Sequence, residues 1–146
     1  MKKILPILLL FLATYTTVQS QEWNTNFAAA QKRATKEHKT IILVFQGSDW
    51  CAPCIKLDRA IWSTETFKKY AKDHFVMVQA DFPRKKKNEL PAALKAHNEK
   101  LADTYNKQGI FPFVVVMTPE GKVLGQATYQ KATPEEYIKM LTDFEG

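Results

Sequence analysis

Phe45-Gln46-Gly47-Ser48-Asp49-Trp50-Cys51-Ala52-Pro53-Cys54-Ile55-Lys56-Leu57 is the stretch that decides how this chain reads. Leading into it, Ile41-Ile42-Leu43-Val44-Phe45 is a continuous apolar run, β-branched at its start and flanked by polar residues. Such a run suits a central strand buried on both faces. Gly47-Ser48-Asp49 breaks the strand, and Ala52 to Ala60 has helical composition, with Pro53 in the first turn where its missing N–H costs nothing. A Cys-x-x-Cys pair therefore falls where a buried strand passes into a helix.

That position has chemical consequences. At a helix N-terminus the macrodipole and the free backbone N–H groups favour a thiolate, bringing the Cys51 thiol from about 8.5 toward neutrality. Cys54 lies three residues on, nearly one turn away on the same face, so its sulfur can reach that of Cys51 while staying less exposed. Cys51 is thus placed as nucleophile and Cys54 as resolving thiol, with a mixed disulfide between the two steps. Trp50 offers a flat apolar surface beside the nucleophile for an extended peptide, and reads equally well as a packing residue. The chain has only these 2 cysteines. A bond between them closes too short a loop to add much stability, so the pair is chemical rather than structural. Half of a zinc site looks the same, but a structural zinc needs four ligands, and only His38, His74 and His97 could complete the set. His74 and His97 fall on predicted apolar helix faces, as packed histidines do. No metal and no cofactor is expected.

Outward from the motif, Trp23 to His38 reads as a helix with Phe27, Ala30 and Ala34 on one face. Downstream, Ser63 can cap a helix with Phe67, Tyr70, Ala71 and His74 at helical spacing, followed by a second buried strand over Phe75 to Ala80. Pro83 to Lys87 is a basic loop whose Lys85-Lys86-Lys87 run reads first as a solvated face and second as a contact for an acidic partner. Leu90 to Asn106 forms a third helix, with Leu94, His97, Leu101 and Tyr105 on one face, and Gly109 ends it. Phe113 to Met117 and Lys122 to Ala127 flank the turn Thr118-Pro119-Glu120-Gly121, which predicts an antiparallel hairpin. Thr133-Pro134-Glu135-Glu136 opens a last helix with cap, first-turn Pro and capping Glu, and Tyr137, Met140, Leu141 and Phe144 on its apolar face. The fold class is α/β, a central mixed β-sheet flanked by helices on both faces.

The chain has 146 residues. Lys2, Lys3, the apolar run Ile4 to Ala13 and the tail Val18-Gln19-Ser20 read as a signal peptide over residues 1–20. The apolar run is shorter than the roughly 20 residues a spanning helix needs, which favours cleavage over stable membrane insertion. No cysteine follows closely, which argues against a lipid anchor. Residues 21–146 then form one domain of ordinary size. Losing Lys2 and Lys3 lowers the formal net charge from +6 to +4. That balance is modestly basic and lacks the interleaved aromatic and basic stripe of a nucleic-acid binder, so no nucleic acid is expected.

The segment Phe45 to Leu57, FQGSDWCAPCIKL, resembles the active-site segment of thioredoxin-like proteins, and Gly109-Ile110-Phe111-Pro112-Phe113 is similar to that family's second signature. Asp49 to Phe67 looks closest to secreted members and to the periplasmic C-terminal domain of the transmembrane thiol-disulfide interchange protein. The resemblance covers nearly the whole mature chain and implies a thioredoxin fold. It implies that Pro112 is cis and packs against the Cys51–Cys54 disulfide, and that the Phe111 backbone pairs with an incoming peptide strand, so that Trp50, Phe111 and Pro112 form the substrate groove. Asp49, Ala52 and Pro53 support the motif. The sequence departs from the family where a buried Asp and a facing Lys usually serve the second cysteine. Val44 or Phe45, and across from them about Met77, stand there, so water, Asp49 or no side chain replaces the proton acceptor.

The Ala-Pro dipeptide between the cysteines lacks the histidine of strong oxidants, which leans toward a reducing or intermediate potential. The resulting expectation is an exported, monomeric thiol-disulfide oxidoreductase, periplasmic or secreted from a bacterium. It would act on client proteins bearing disulfides or thiols, with a membrane thiol-disulfide interchange protein as electron donor. A disulfide isomerase or oxidase, and a non-catalytic peptide-binding module of the same fold, stand as alternatives.

Overall fold

The computed structural model describes residues 20–146. The signal peptide expected over residues 1–20 lies outside this range apart from Ser20.

Helix α1 (Phe27–Glu37) starts where the Asn26 side chain accepts the Ala29 N–H, and stops at His38, whose φ of 54° turns the chain out of the helix. The helix expected from Trp23 begins later because the preceding residues are extended. The Asn24 N–H donates to the Met77 carbonyl at 2.9 Å, and the Asn24 carbonyl accepts the Gln79 N–H at 3.0 Å. Strand β1 (Thr40–Gln46) follows, then α2 (Ala52–Leu57), which continues into a π-helical turn over Asp58–Trp62. Within that turn the Ser63 N–H reaches the Asp58 carbonyl at 2.8 Å. The wider turn consumes one more residue than an α-helix, so Thr64 rather than Ser63 caps α3 (Glu65–His74), accepting the Phe67 N–H. Strand β2 (Phe75–Asp81) leads through a loop with a 3-10 turn at Lys86–Asn88 to α4 (Ala92–Tyr105). The helix starts past Leu90 because Pro91 holds the residue before it in extended backbone. Strands β3 (Phe113–Met117) and β4 (Val123–Ala127) form the expected hairpin, with Gly121 at φ 89° in its turn. Helix α5 (Pro134–Asp143) opens on the predicted capping box of Thr133 and Glu136.

The sheet order is β2-β1-β3-β4. Strand β1 runs parallel to β2 and antiparallel to β3, so it is bonded on both edges. Its alternating side chains feed two cores. Ile42 and Val44, with Met77, Val114 and Val116, meet Leu57, Trp62, Phe67, Tyr137 and Leu141 from α2, the π-helical turn, α3 and α5. Ile41, Leu43 and Phe45, with Val76, Val78 and Val115, meet Ala30 and Ala34 of α1 and Leu101 of α4. This is why the strand is apolar throughout rather than alternating.

Two further expectations change. The register sets Val44 opposite Gln79 and Phe45 opposite Ala80, while Met77 faces Ile42. The side chain across from Val44 is therefore the polar Gln79, and Asp81 stands across from Gln46 at the end of β1, because the parallel pairing starts at Thr40 and Phe75. His74 is exposed at the end of α3, its ring stacked on Tyr70 at 4.0 Å, rather than packed within an apolar face. His97 is half-buried, and its Nε2 accepts the Phe27 N–H at 3.3 Å.

Trp62 is the hub of the first core, with ring contacts to Trp23 at 6.2 Å, Phe67 at 4.8 Å and Tyr137 at 5.4 Å. Trp62→Ala should lower unfolding free energy by about 3–5 kcal/mol. Thr133→Ala, which removes half of the α5 capping box, should cost only about 1 kcal/mol. Urea denaturation of the two variants gives both values, and a similar loss in each would place the hub elsewhere.

Candidate active site

Where β1 ends, the chain must turn sharply to enter α2, and the turn is built from four residues. The Trp50 and Cys51 N–H groups both donate to the Gly47 carbonyl, at 3.3 and 2.9 Å. The Trp50 indole lies so close over Gly47 that any Cβ there would collide with the ring, which is why glycine stands at that position. Cys51 then becomes the N-cap of α2, in extended backbone, with its Sγ accepting the Cys54 N–H at 3.3 Å. The first-turn N–H of the helix thus points at the sulfur on which negative charge would form.

Cys51 and Cys54 are joined as a disulfide, with their Cα atoms 5.2 Å apart. The two residues are equally covered, 4% exposed each, so the greater burial expected of Cys54 is not seen in this oxidised form. Cys54 borders a polar pocket of about 330 Å³ that also holds Gln46, Asp58, Arg59 and Gln79. Asp58, one helical turn beyond Cys54, is the carboxylate of this pocket, and it accepts the Ser63 hydroxyl at 3.1 Å. Sequence reasoning missed it because an acid four residues after a cysteine reads as an ordinary helix-surface charge.

Strand β2 supplies the other wall. The Asp81 carboxylate accepts the Ser48 N–H at 2.9 Å, the Ser48 hydroxyl at 2.6 Å and the Phe82 N–H at 3.0 Å. The Asp49 carboxylate accepts the Arg84 N–H at 2.9 Å, the Lys85 N–H at 3.0 Å and the Asn88 side-chain amide at 2.9 Å. The Arg84 N–H first, and then the Asn88 amide, hold the Asp49 carboxyl below its ordinary range. A carboxylate so stabilised in its charged form is a poor proton acceptor, and its geometry is that of a loop anchor. The Trp50 indole N–H donates to the Phe82 carbonyl at 2.7 Å, and the Arg84 guanidinium lies 3.5 Å over the Trp50 ring.

The third wall comes from the segment before β3. The Phe111–Pro112 peptide bond is cis, as the resemblance implied. Pairing of Phe113 with Phe45 places it at the end of β1 from which the Cys51 turn rises. Asn106, a buried polar residue, accepts the Ile110 N–H at 3.0 Å and donates to the Ile110 carbonyl at 2.9 Å. The Thr128 hydroxyl donates to the Pro112 carbonyl at 2.8 Å. The half-buried Phe111 ring meets Trp50 at 5.6 Å and Phe82 at 5.4 Å, so one aromatic cluster joins all three walls. Thr128 carried no sequence signal, since it acts on a backbone that the β3–β4 hairpin brings near, and Asn106 was missed because an asparagine four residues before Ile110 reads as an ordinary helix end.

The thioredoxin-like family matches residues 22–119 of this chain. The disulfide bond reductase DsbH of Chlamydia pneumoniae is 35% identical over 117 residues, which covers 80% of this chain and 68% of that protein. A solved structure of a DsbH oxidoreductase superposes with a TM-score of 0.79 at 32% identity, over 86% of this chain and 85% of that one. The C-terminal domain of DsbD from Neisseria meningitidis gives 0.51 at 16% identity over 80% and 90% of the two chains, a likeness of fold alone.

Because the folded Asp49 is a stronger acid than the unfolded one, its anchoring is complete above the ordinary carboxylate value of about 3.9 and is lost as pH falls through the depressed value. Asp49→Ala removes it at every pH. At about pH 5 the Arg84 and Lys85 amides of this variant should exchange with solvent roughly five- to tenfold faster than in the parent chain. Unchanged exchange would mean that the Asn88 side of the loop holds it without Asp49.

Proposed function

The chain belongs to the thioredoxin-like family and is a thiol-disulfide oxidoreductase, and within that class we propose that it is an exported reductase of protein disulfides. The observation that carries this assignment is Cys51, bonded to Cys54, with its sulfur at the head of α2 facing the Cys54 N–H. Support for the reducing direction comes from the likeness to a disulfide bond reductase over most of the chain, and from the absence of a histidine between the cysteines.

In the proposed cycle the Cys51 thiolate attacks one sulfur of a client disulfide, forming a mixed disulfide and releasing the first client thiolate. Cys54 then loses its proton and attacks the Cys51 sulfur, releasing the second client thiolate and closing the Cys51–Cys54 bond. Two electrons pass to the client, and a dithiol donor must return them. Asp58, in the polar pocket beside Cys54, is the side chain available there to take the Cys54 proton. The client segment lies along the Phe111 backbone beside cis-Pro112, with Trp50 as its apolar floor.

The proposed site of action is the bacterial periplasm, reached by cleavage after residue 20, with a membrane thiol-disulfide interchange protein as donor. An oxidising compartment supplies no soluble reductant, so such a donor is required. Among the described residues no helix is long and apolar enough to cross a membrane.

A redox titration in defined thiol-disulfide buffers, followed by Trp50 fluorescence and thiol alkylation, tests the direction. A two-electron transition near about −270 mV fits a reductase, while one at about −120 to −180 mV would make the chain an oxidase or isomerase instead. Cys51→Ser should abolish turnover of a peptide disulfide, and Cys54→Ser should accumulate a mixed disulfide through Cys51. Were neither sulfur to exchange, a binding module without catalysis would be left.

A further inference from the structure

The loop that Asp49 anchors is strongly cationic, and it borders a groove of about 380 Å³ lined by Arg84, Lys85, Lys86 and Lys95, with Asp81 and Glu89 as its only acids among the described residues. Asp81 is already occupied by Ser48 and the Phe82 N–H. None of the four cations takes part in an ion pair among the described residues. Solvated lysines on an unsupported loop need no explanation, but this loop is held in place. Asp49 binds two of its backbone N–H groups and Asn88, and Arg84 is fixed over the Trp50 ring. Helix α4 begins beside the groove without a side-chain cap and without an acid in its first turn, so its positive dipole end adds to the same field.

The groove is linked to the reacting centre through Trp50. Trp50 precedes Cys51, its ring carries Arg84, and its indole N–H is bonded to Phe82, which lines the groove. A peptide crossing Cys51 beside Phe111 and Trp50 thus passes next to Arg84 and Phe82, two residues of the groove. We infer that this groove docks an acidic, extended segment flanking the reactive cysteine of the protein with which the chain exchanges disulfides. The inference rests on the oxidoreductase assignment and adds a preference among its protein substrates. Complementary charge would act mainly on the rate and selectivity of encounter, and would weaken with salt.

Two measurements test it, both comparing the parent chain with a Lys85→Gln/Lys86→Gln/Lys95→Gln variant that keeps the Asp49 anchor and Arg84. In the first, fluorescence anisotropy follows binding of a labelled Asp/Glu-rich peptide without cysteine, against its Asn/Gln counterpart. The parent should bind the acidic peptide about tenfold more tightly at low salt. That advantage should vanish near 1 M salt, where the screening length is about 3 Å, and in the variant. In the second, the same two flanks are placed beside a peptide disulfide, and turnover is compared with that of uncharged hydroxyethyl disulfide. The acidic flank should raise kcat/KM in the parent alone, while hydroxyethyl disulfide is reduced equally by both proteins.

Equal affinity for the two peptides, or an acidic preference that survives in the variant, overturns the inference. Binding of the parent to anionic lipid vesicles without any peptide preference also overturns it, in favour of a membrane surface. Failure to reduce hydroxyethyl disulfide would instead sink the oxidoreductase assignment, and the anisotropy result would still decide the groove.

Discussion

A sulfur held against a first-turn N–H of a helix is the contact on which the rest of this structure depends. Cys51 can occupy the N-cap only because β1 delivers the chain to that point and the Gly47 carbonyl turns it by accepting two successive N–H groups. β1 is bonded to a neighbour on each edge and buried on each face, so the point of delivery is among the most rigid in the fold. A thiolate formed there faces an oriented dipole that needs no rearrangement, which is how a backbone feature becomes a chemical one.

Around that contact, the Cys51 turn is tied by hydrogen bonds to the segment after β2, and the segment ahead of cis-Pro112, braced within itself, is packed against both. Asp81 holds Ser48, Asp49 holds the Arg84–Asn88 loop, and Asn106 grips Ile110 ahead of cis-Pro112. The rings of Trp50, Phe82 and Phe111 fill the space between them. Each carboxylate near the Cys51 turn is thus occupied in joining loops, which separates the structural acids from any acid that could move a proton. The polar pocket beside Cys54 holds a further carboxylate, Asp58, which bonds the Ser63 hydroxyl rather than a loop of the Cys51 turn.

Likeness to solved proteins falls into two grades. The DsbH match extends over sequence and structure alike and bears on chemistry, whereas the DsbD domain shares a fold in which little sequence is retained. Around its strand-to-helix turn this chain places a cationic loop and the polar side chains of Gln46 and Gln79. Those two amides meet at 3.4 Å at the end of β1.

Much of the architecture could be read from local pattern. The apolar run from Ile41 to Phe45, the Pro-led helix after Cys51, the hairpin turn at Gly121 and the Thr133 capping box are short-range signals, and each element formed where those residues stand. Boundaries moved where a distant partner competed, as when Asn24 bonded to β2 instead of starting α1, or when a π-turn displaced the cap of α3 from Ser63 to Thr64. The sequence by itself determined the redox pair and the scaffold that presents it, because a strand, a break and a helix are encoded within a few neighbouring residues. Only the tertiary structure decided that Asp49 is an anchor, that Gln79 rather than Met77 stands opposite Val44, that Thr128 holds the Pro112 carbonyl and that Arg84 lies on Trp50. Such contacts depend on register and loop closure between residues far apart in the chain, and no local periodicity records them.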